Sequence, residues 1–284
     1  MTPLRKEMIK QLELQRLAPN TRMAYVRSVE GLAKHYGRAP DRVSSREIRD
    51  YLHHLLVERQ LSWSTCNVAA CGIGFFCKRF LGWDAVRIDL PPRTRPKTLP
   101  EILSRREVKM LIQATANLKH RALLMTAYGG GLRASELVKL KVTDIESDEM
   151  TIRVEQGKGR KDRRTILSDH LLQELRAYWR IERSPVWLFP GPDLTRPLTR
   201  CSAHNVFHAA KSAAGITRGK GIHTLRHCFA THMLEDGIDS AVIQAMLGHA
   251  YLSTTAKYLH VTRSHFVSAK SPLDTLFAQN SAER

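Results

Sequence analysis

Leu90-Pro91-Pro92-Arg93-Thr94-Arg95-Pro96-Lys97-Thr98-Leu99-Pro100 decides the architecture of this chain. Four prolines in eleven residues cannot continue a helix or a central strand, because each fixes φ and removes a backbone donor. The stretch reads as an extended linker. It divides the 284 residues in two, which is a comfortable domain count for that length. Arg93, Arg95 and Lys97 would let it track a phosphate backbone; plain spacing between two domains is the alternative reading.

Upstream of the linker the pattern is helical. Tyr25, Val29, Leu32, Ala33 and Tyr36 fall on one face of a helix that Gly37 can end. Ser44-Ser45-Arg46-Glu47 is a capping box, and Ile48, Leu52 and Leu55 carry an apolar stripe behind it. Ser64 is placed to cap a further helix through Val68, Phe75 and Phe76, with Trp83 beyond its end. With a segment around Ile9 to Leu17, these make a small bundle of four helices.

Downstream, Ser104-Arg105-Arg106-Glu107 is a second capping box, with Val108, Leu111 and Ile112 facing inward. Leu118 to Tyr128 reads as a helix broken by Gly129-Gly130-Gly131, and a new helix begins near Arg133, carrying Leu137 and Leu140. Thr151-Ile152-Arg153-Val154-Glu155 alternates as a strand. Gly157-Lys158-Gly159 supplies turn residues, and Arg164-Thr165-Ile166-Leu167 is the return strand. Helices then resume at 171–179, 203–214, 224–235, 240–247 and 253–260. The second domain is therefore mostly helical with a small antiparallel sheet.

The charge is the abnormal quantity. Forty-five Lys and Arg against 27 Asp and Glu leave a formal +18, with a pI near 10.1. Such an excess costs self-repulsion in the folded state and points to a polyanionic partner. The basic residues are spread along the chain, which favours nucleic acid over a membrane surface. The longest apolar run, Val68 to Cys77, has ten residues, about half of the ~20 needed to span a bilayer. No export signal is visible in the N-terminal residues. Cys66, Cys71, Cys77, Cys201 and Cys228 form no C-x-x-C pair and read as buried thiols in a reducing cytoplasm.

His223-Thr224-Leu225-Arg226-His227 places His223 and Arg226 three apart, on neighbouring positions of one helix face. An imidazole and a guanidinium together can donate several hydrogen bonds to a phosphate; a capping histidine beside a surface arginine is the bland alternative. Zinc is not expected, because no glutamate stands in the H-E-x-x-H position and Arg226 opposes a nearby metal. His227 and His232 read as packed, hydrogen-bonded residues. Lys158 fails the Walker A pattern, since Gly159 follows it and Ile152 replaces the first glycine. Between two glycines at a hairpin tip, it is either a mobile cation able to reach into a cleft or a solvated turn lysine. Farther on, Gly248 ends a helix and exposes His249, and Tyr258 lies on the next.

Taken in order, Gly131-Leu132-Arg133-Ala134-Ser135-Glu136-Leu137, Gly157-Lys158-Gly159, His223-x-x-Arg226-His227, Leu247-Gly248-His249 and a tyrosine nine residues after His249 resemble the tyrosine recombinase (phage integrase) family. The resemblance is closest to its Xer-like simple integrases. It extends upstream to Leu17-Ala18-Pro19-Asn20-Thr21-x-x-x-Tyr25, the start of the family's SAM-like, DNA-clamping core-binding domain. The resemblance implies that Arg133 and Arg226 hold the scissile phosphate, Lys158 protonates the leaving oxygen, and His223 is the first active-site histidine. It likewise implies that His249 bonds the phosphate and that Tyr258 is the nucleophile. Glu136 is better read as an orienting partner of Arg133 than as a catalyst. The short interval between Lys158 and His223 counts against integron-type activity.

The chemistry needs this set. In-line attack on a phosphodiester builds negative charge on the equatorial oxygens, which two arginines and the histidines can stabilise without a metal. A tyrosine of pKa ~10 needs nearby positive charge and a proton acceptor, and the leaving 5′-alkoxide needs a proton. The 3′-phosphotyrosyl bond conserves energy for rejoining, so no cofactor and no metal is expected. By resemblance the protein is a mobile-element DNA recombinase. It works through a Holliday junction as a homo-tetramer on two double-stranded DNA sites, in the cytoplasm and with no membrane partner. The resemblance organises the chain as a helical clamp domain at 1–89, a linker at 90–100, a mixed α+β catalytic domain at 101–263 and a tail at 264–284. That tail carries Phe266, Leu273, Leu276 and Phe277 for contact between protomers. The rival readings are a type IB topoisomerase, which relaxes plasmids lacking special sites, and a catalytically silent DNA-binding regulator, which forms no covalent adduct. A metal nuclease is a third, and it would be stopped by chelators.

Overall fold

The computed structural model describes residues 2–83, 101–155 and 162–248. The chain forms two compact units, Met1–Lys97 and Thr98–Arg284. The linker 90–100, Lys158 and the expected helix at 253–260 lie outside the described residues, as does the tail at 264–284.

The first unit holds four α-helices among the described residues: α1 (Pro3–Leu14), α2 (Pro19–Tyr36), α3 (Ser45–His53) and α4 (Trp63–Phe80). Pro3 and Pro19 sit in the first turns of α1 and α2, where a missing N–H costs nothing. Gly37 closes α2 in the left-handed region. The box at Ser44 forms in full: its hydroxyl accepts from the Glu47 amide, and the Glu47 carboxylate accepts from the Ser44 amide. Helix α3 runs on into one π-helical turn, His54–Glu58. The cap of α4 is Ser62 rather than Ser64, so this helix starts two residues earlier than its sequence suggests. Leu12, Leu32, Ile48, Ile73 and Phe76 fill a core of their own, with Trp83 packed at its margin.

The second unit begins with α5 (Arg105–Gln113), opened by the full capping box of Ser104 and Glu107. Then come α6 (Leu118–Gly129) and the four-residue α7 (Ala134–Leu137). The helix expected to carry both Leu137 and Leu140 stops at Leu137, and Leu140 is buried from the loop beyond it. A three-stranded antiparallel sheet follows in the order β1 (Ile145–Glu146), β2 (Thr151–Val154), β3 (Arg163–Ile166). Its register runs from Thr151 opposite Ile166 to Val154 opposite Arg163. Helices α8 (Asp169–Glu182), α9 (Arg200–Ala213), α10 (His223–Glu235) and α11 (Ser240–Leu247) follow among the described residues.

Leu111, Leu123, Leu124, Phe189 and Phe207 are fully buried in its main core. Phe229, Leu234, Ile243 and Leu247 form a smaller one that joins α10 to α11. The cysteines divide: Cys66, Cys77 and Cys228 are buried, but Cys71 and Cys201 lie on solvent-facing sides of α4 and α9 and correct the expectation of five buried thiols. Burial pushes the Cys77 and Cys228 thiols up to about 11. Among the described residues, no helix is long and apolar enough to cross a membrane.

Candidate active site

Helix α6 ends in three glycines, and Gly131 adopts φ +60°. That turn delivers Arg133 to the N-cap of α7 in extended conformation. Glu136, three residues on, binds both ends of Arg133. Its Oε2 accepts from the Arg133 backbone N–H at 2.9 Å and its Oε1 from Nη1 at 2.6 Å. The orienting role read from the spacing thus has a concrete form: the carboxylate fixes the arginine's backbone and head group together.

Arg226 projects inward from α10, with its side chain 5% exposed. Nη1 donates to the Gly131 carbonyl and Nη2 to the Leu247 carbonyl, each at 2.7 Å. Its Nη1 also lies 3.7 Å from Glu136 Oε2. Arg133 reaches the same stretch of chain, its Nη2 donating to the Gly248 carbonyl at 3.4 Å. The two arginines therefore converge on one carboxylate and on adjacent carbonyls at the end of α11.

A third guanidinium, which the sequence reading passes over, completes the cluster. Arg163, the first residue of β3, grips Glu136 with two bonds, Nη2 to Oε2 at 2.7 Å and Nη1 to Oε1 at 3.1 Å. The Arg163 side chain is 9% exposed and that of Glu136 6%. Burial alone would raise the Glu136 pKa. The bonds and charge of Arg163, then the backbone and side chain of Arg133, outweigh it and hold the carboxyl at about 2. One sequence signal was available. Arg163 alternates with Arg164 on β3, and a basic residue on the covered face of a strand requires a buried acid.

His223 opens α10 and is exposed. Its ring meets that of His204 edge-on, with centroids 6.4 Å apart. Protein packed against the ring lowers its pKa below the ordinary imidazole value, and so does the positive charge of Arg226 and Arg133. That shift favours the neutral ring, the form that can accept a proton. Arg133, His223 and Arg226 thus share one electrostatic neighbourhood. Lys158, His249 and Tyr258 lie outside the described residues, although Gly248, the residue before His249, is part of the cluster.

His232 takes a structural place, its Nδ1 sharing a 2.8 Å hydrogen bond with the Tyr128 hydroxyl. Among the described residues, no group of three or more His, Cys, Asp or Glu side chains is arranged to hold a metal ion. What this arrangement can do is bind an anion. Two aligned guanidiniums beside a neutral imidazole suit a phosphate that gains charge as it is attacked.

Comparison with known proteins agrees with that chemistry. Residues 101–265 match the phage integrase family, and residues 4–85 match the phage integrase N-terminal SAM-like domain. The inferred integrase/recombinase y4qK of Sinorhizobium fredii is 41% identical, over 97% of this chain and 90% of the relative. The tyrosine recombinase XerA of Thermococcus onnurineus is 33% identical over 91% of each. Among solved structures, the crystal structure of XerA recombinase is 28% identical, with a TM-score of 0.55 over 98% of this chain and 97% of that one. The post-cleavage complex of XerH with a palindromic difH substrate shares the fold, at a TM-score of 0.70 and 22% identity over 94% of this chain and 85% of that one.

Proposed function

Because the chain belongs to the phage integrase family, the tyrosine recombinases, we propose that it cuts and rejoins DNA at specific sites through a phosphotyrosyl intermediate. The observation that supports this most directly is the convergence of Arg133 and Arg226, distant in sequence, on Glu136 and on the carbonyls of Leu247 and Gly248. Their guanidiniums take the non-bridging oxygens of the scissile phosphate, and His249 adds a further hydrogen bond to it.

The hydroxyl oxygen of Tyr258 attacks phosphorus as the bond to the 5′-oxygen breaks. The phenolic proton passes to the neutral imidazole of His223, and Lys158 supplies a proton to the departing 5′-oxygen. Tyr258 is left esterified to the 3′-phosphate. A 5′-hydroxyl from a second duplex then reverses the step, and two such exchanges pass through a Holliday junction. The positive charge needed in the transition state comes from side chains, so the chemical step requires no metal.

The same reading assigns residues 1–89 as a DNA clamp, 90–100 as a basic linker, 101–263 as the catalytic domain and 264–284 as a contact between protomers in a tetramer on two sites. XerH and lambda integrase, whose folds this chain shares, were solved bound to a palindromic difH substrate and to a COC′ core site, and the Tn1549 transposon integrase in complex with transposon right end DNA. The partner assigned here is accordingly double-stranded DNA, met in the cytoplasm.

The test is to incubate the protein with DNA from its own genomic neighbourhood, trap covalent adducts, and sequence both the DNA ends and the modified peptide. Tyr258 in the peptide is the expected result, with Tyr258→Phe abolishing the adduct while DNA binding stays within a few-fold. A phosphotyrosyl peptide containing Tyr251 or another tyrosine would refute the assignment.

A further inference from the structure

None of the six positions assigned above is Arg163, yet the ion pairs of Arg133, Arg163 and Arg226 all meet at its partner, Glu136. Its two terminal nitrogens hold both oxygens of Glu136, and its Nε donates to the Met246 carbonyl at 2.7 Å. Three guanidiniums thereby take three successive carbonyls: Arg163 that of Met246, Arg226 that of Leu247 and Arg133 that of Gly248. These carbonyls end α11, where a helix leaves its acceptors unpaired and carries partial negative charge. His249 is the next residue, and Lys158 lies five residues before Arg163. At Gly248, φ is +62° and a Cβ would lie 2.8 Å from Arg163 Cδ, so the arginine packs directly on the backbone there.

The charge count gives this geometry its consequence. Among the contacts of the described residues, one carboxylate shared by three guanidiniums leaves two positive charges for the phosphate. Without Arg163 the same carboxylate would neutralise half of the pair formed by Arg133 and Arg226, and its Oε2 already stands 3.7 Å from Arg226.

We propose that Arg163 is a positioning residue for DNA cleavage: it absorbs the charge of Glu136 and locks the end of α11, so that Arg133 and Arg226 present their positive charge to the scissile phosphate. It acts through those arginines without touching DNA. The proposal rests on the phosphodiester-cleavage reading given above.

Single-turnover cleavage at saturating protein tests it, on a nicked duplex spanning the mapped cleavage point. One duplex carries an ordinary scissile phosphate and the other a methylphosphonate, whose missing negative charge lessens the need for guanidinium charge. Arg163→Met should cleave ordinary DNA roughly 10- to 100-fold more slowly, the usual cost of losing a supporting group behind a reactive one. On the methylphosphonate its deficit should shrink to within about three-fold. Arg163→Lys, which keeps the charge but not the fork, should fall between wild type and Arg163→Met. Adding Glu136→Gln to Arg163→Met should restore part of the rate, because the unbalanced carboxylate is then gone.

The proposal is overturned if Arg163→Met cleaves ordinary DNA within about three-fold of wild type, well short of that supporting-group cost. An equal deficit on both duplexes also overturns it, since that is what general loosening of the fold produces. Should Arg163→Met not fold, Arg163→Lys and the double variant carry the same two-substrate comparison. Failure of the wild-type protein itself to form an adduct would instead remove the cleavage reading, a separate result visible without any variant.

Discussion

Gly131→Ala is the substitution for which the structure gives the sharpest magnitude. Gly131 has φ +60°, and a Cβ there would lie 2.5 Å from Phe229 Cδ1, 2.8 Å from Phe229 Cε1 and 2.9 Å from Leu247 Cδ2. An L side chain in the left-handed region costs about 1–2 kcal/mol, and forcing a methyl into a filled core costs about 1–3 kcal/mol more. The sum is about 2–5 kcal/mol, a fall in Tm of roughly 10 °C for a domain of this size. The Gly131 carbonyl also holds Arg226 Nη1, so the cleavage rate should drop together with stability. Gly129→Ala is the internal control. It lies within α6, and among the described residues its added Cβ would meet only Leu171 Cδ2, at 3.4 Å, so it should be neutral or stabilise by about 0.5–1 kcal/mol. Thermal and urea unfolding of both variants, with adduct formation measured alongside, provide the assay. If Gly131→Ala costs less than about 1 kcal/mol, below the strain of a left-handed side chain alone, the packing reasoning at this turn is wrong.

Other perturbations separate the roles within the site. Arg133→Ala and Arg226→Ala should each slow cleavage by roughly 10²–10³, as loss of one oxyanion donor does, and wild-type cleavage should persist in excess EDTA; a metal requirement for the chemical step would contradict both. Lys158→Ala should cleave ordinary DNA very slowly but recover most of its rate on a 5′-bridging phosphorothioate, whose leaving group needs no proton; rescue equal to that of Arg133→Ala would deny Lys158 the role of acid. Glu136 is held at about 2 against an ordinary 4.5, which corresponds to about 3 kcal/mol of stability. Its folded pKa is the depressed one, so that stability is fully present above pH 4.5 and drains away as the pH falls toward 2. Unfolding free energies from pH 7 to 3 should therefore fall less steeply in Glu136→Gln than in wild type, and parallel slopes would refute the coupling.

Local signals are legible in the sequence because their causes are local. The boxes at Ser44 and Ser104 close within one helical turn, and the strand at 151–154 announces itself by alternation. Arg133, His223 and Arg226 were legible as a set only through the spacing of a family. Side chains whose partners lie far along the chain were harder. Arg163 looks like one more cation in a basic run until Glu136 and the Met246 carbonyl are seen beside it. The exposed Cys71 and Cys201 depart from expectation because residue type records an average preference for burial, not the face on which a helix places a residue. Leu140 satisfied helical spacing but is buried from a loop, since helix α7 ends after four residues.

The row of main-chain acceptors at the end of α11 bears on how this protein can vary. An arginine that recognises a carbonyl is blind to the side chain attached to it. Met246, which is only half-buried, can therefore be exchanged for many residues without disturbing Arg163. Leu247 and Gly248 are restricted for other reasons, one by the core and one by its left-handed backbone. Length has no such tolerance. Dropping one residue from α11 would rotate its final carbonyls by about 100°, carrying all three away from their arginines at once. Substitutions and deletions would then map this region very differently: a scan of single replacements would show a tolerant Met246 beside a restricted Leu247 and Gly248, while a one-codon deletion a few positions earlier would be lost from every functional pool.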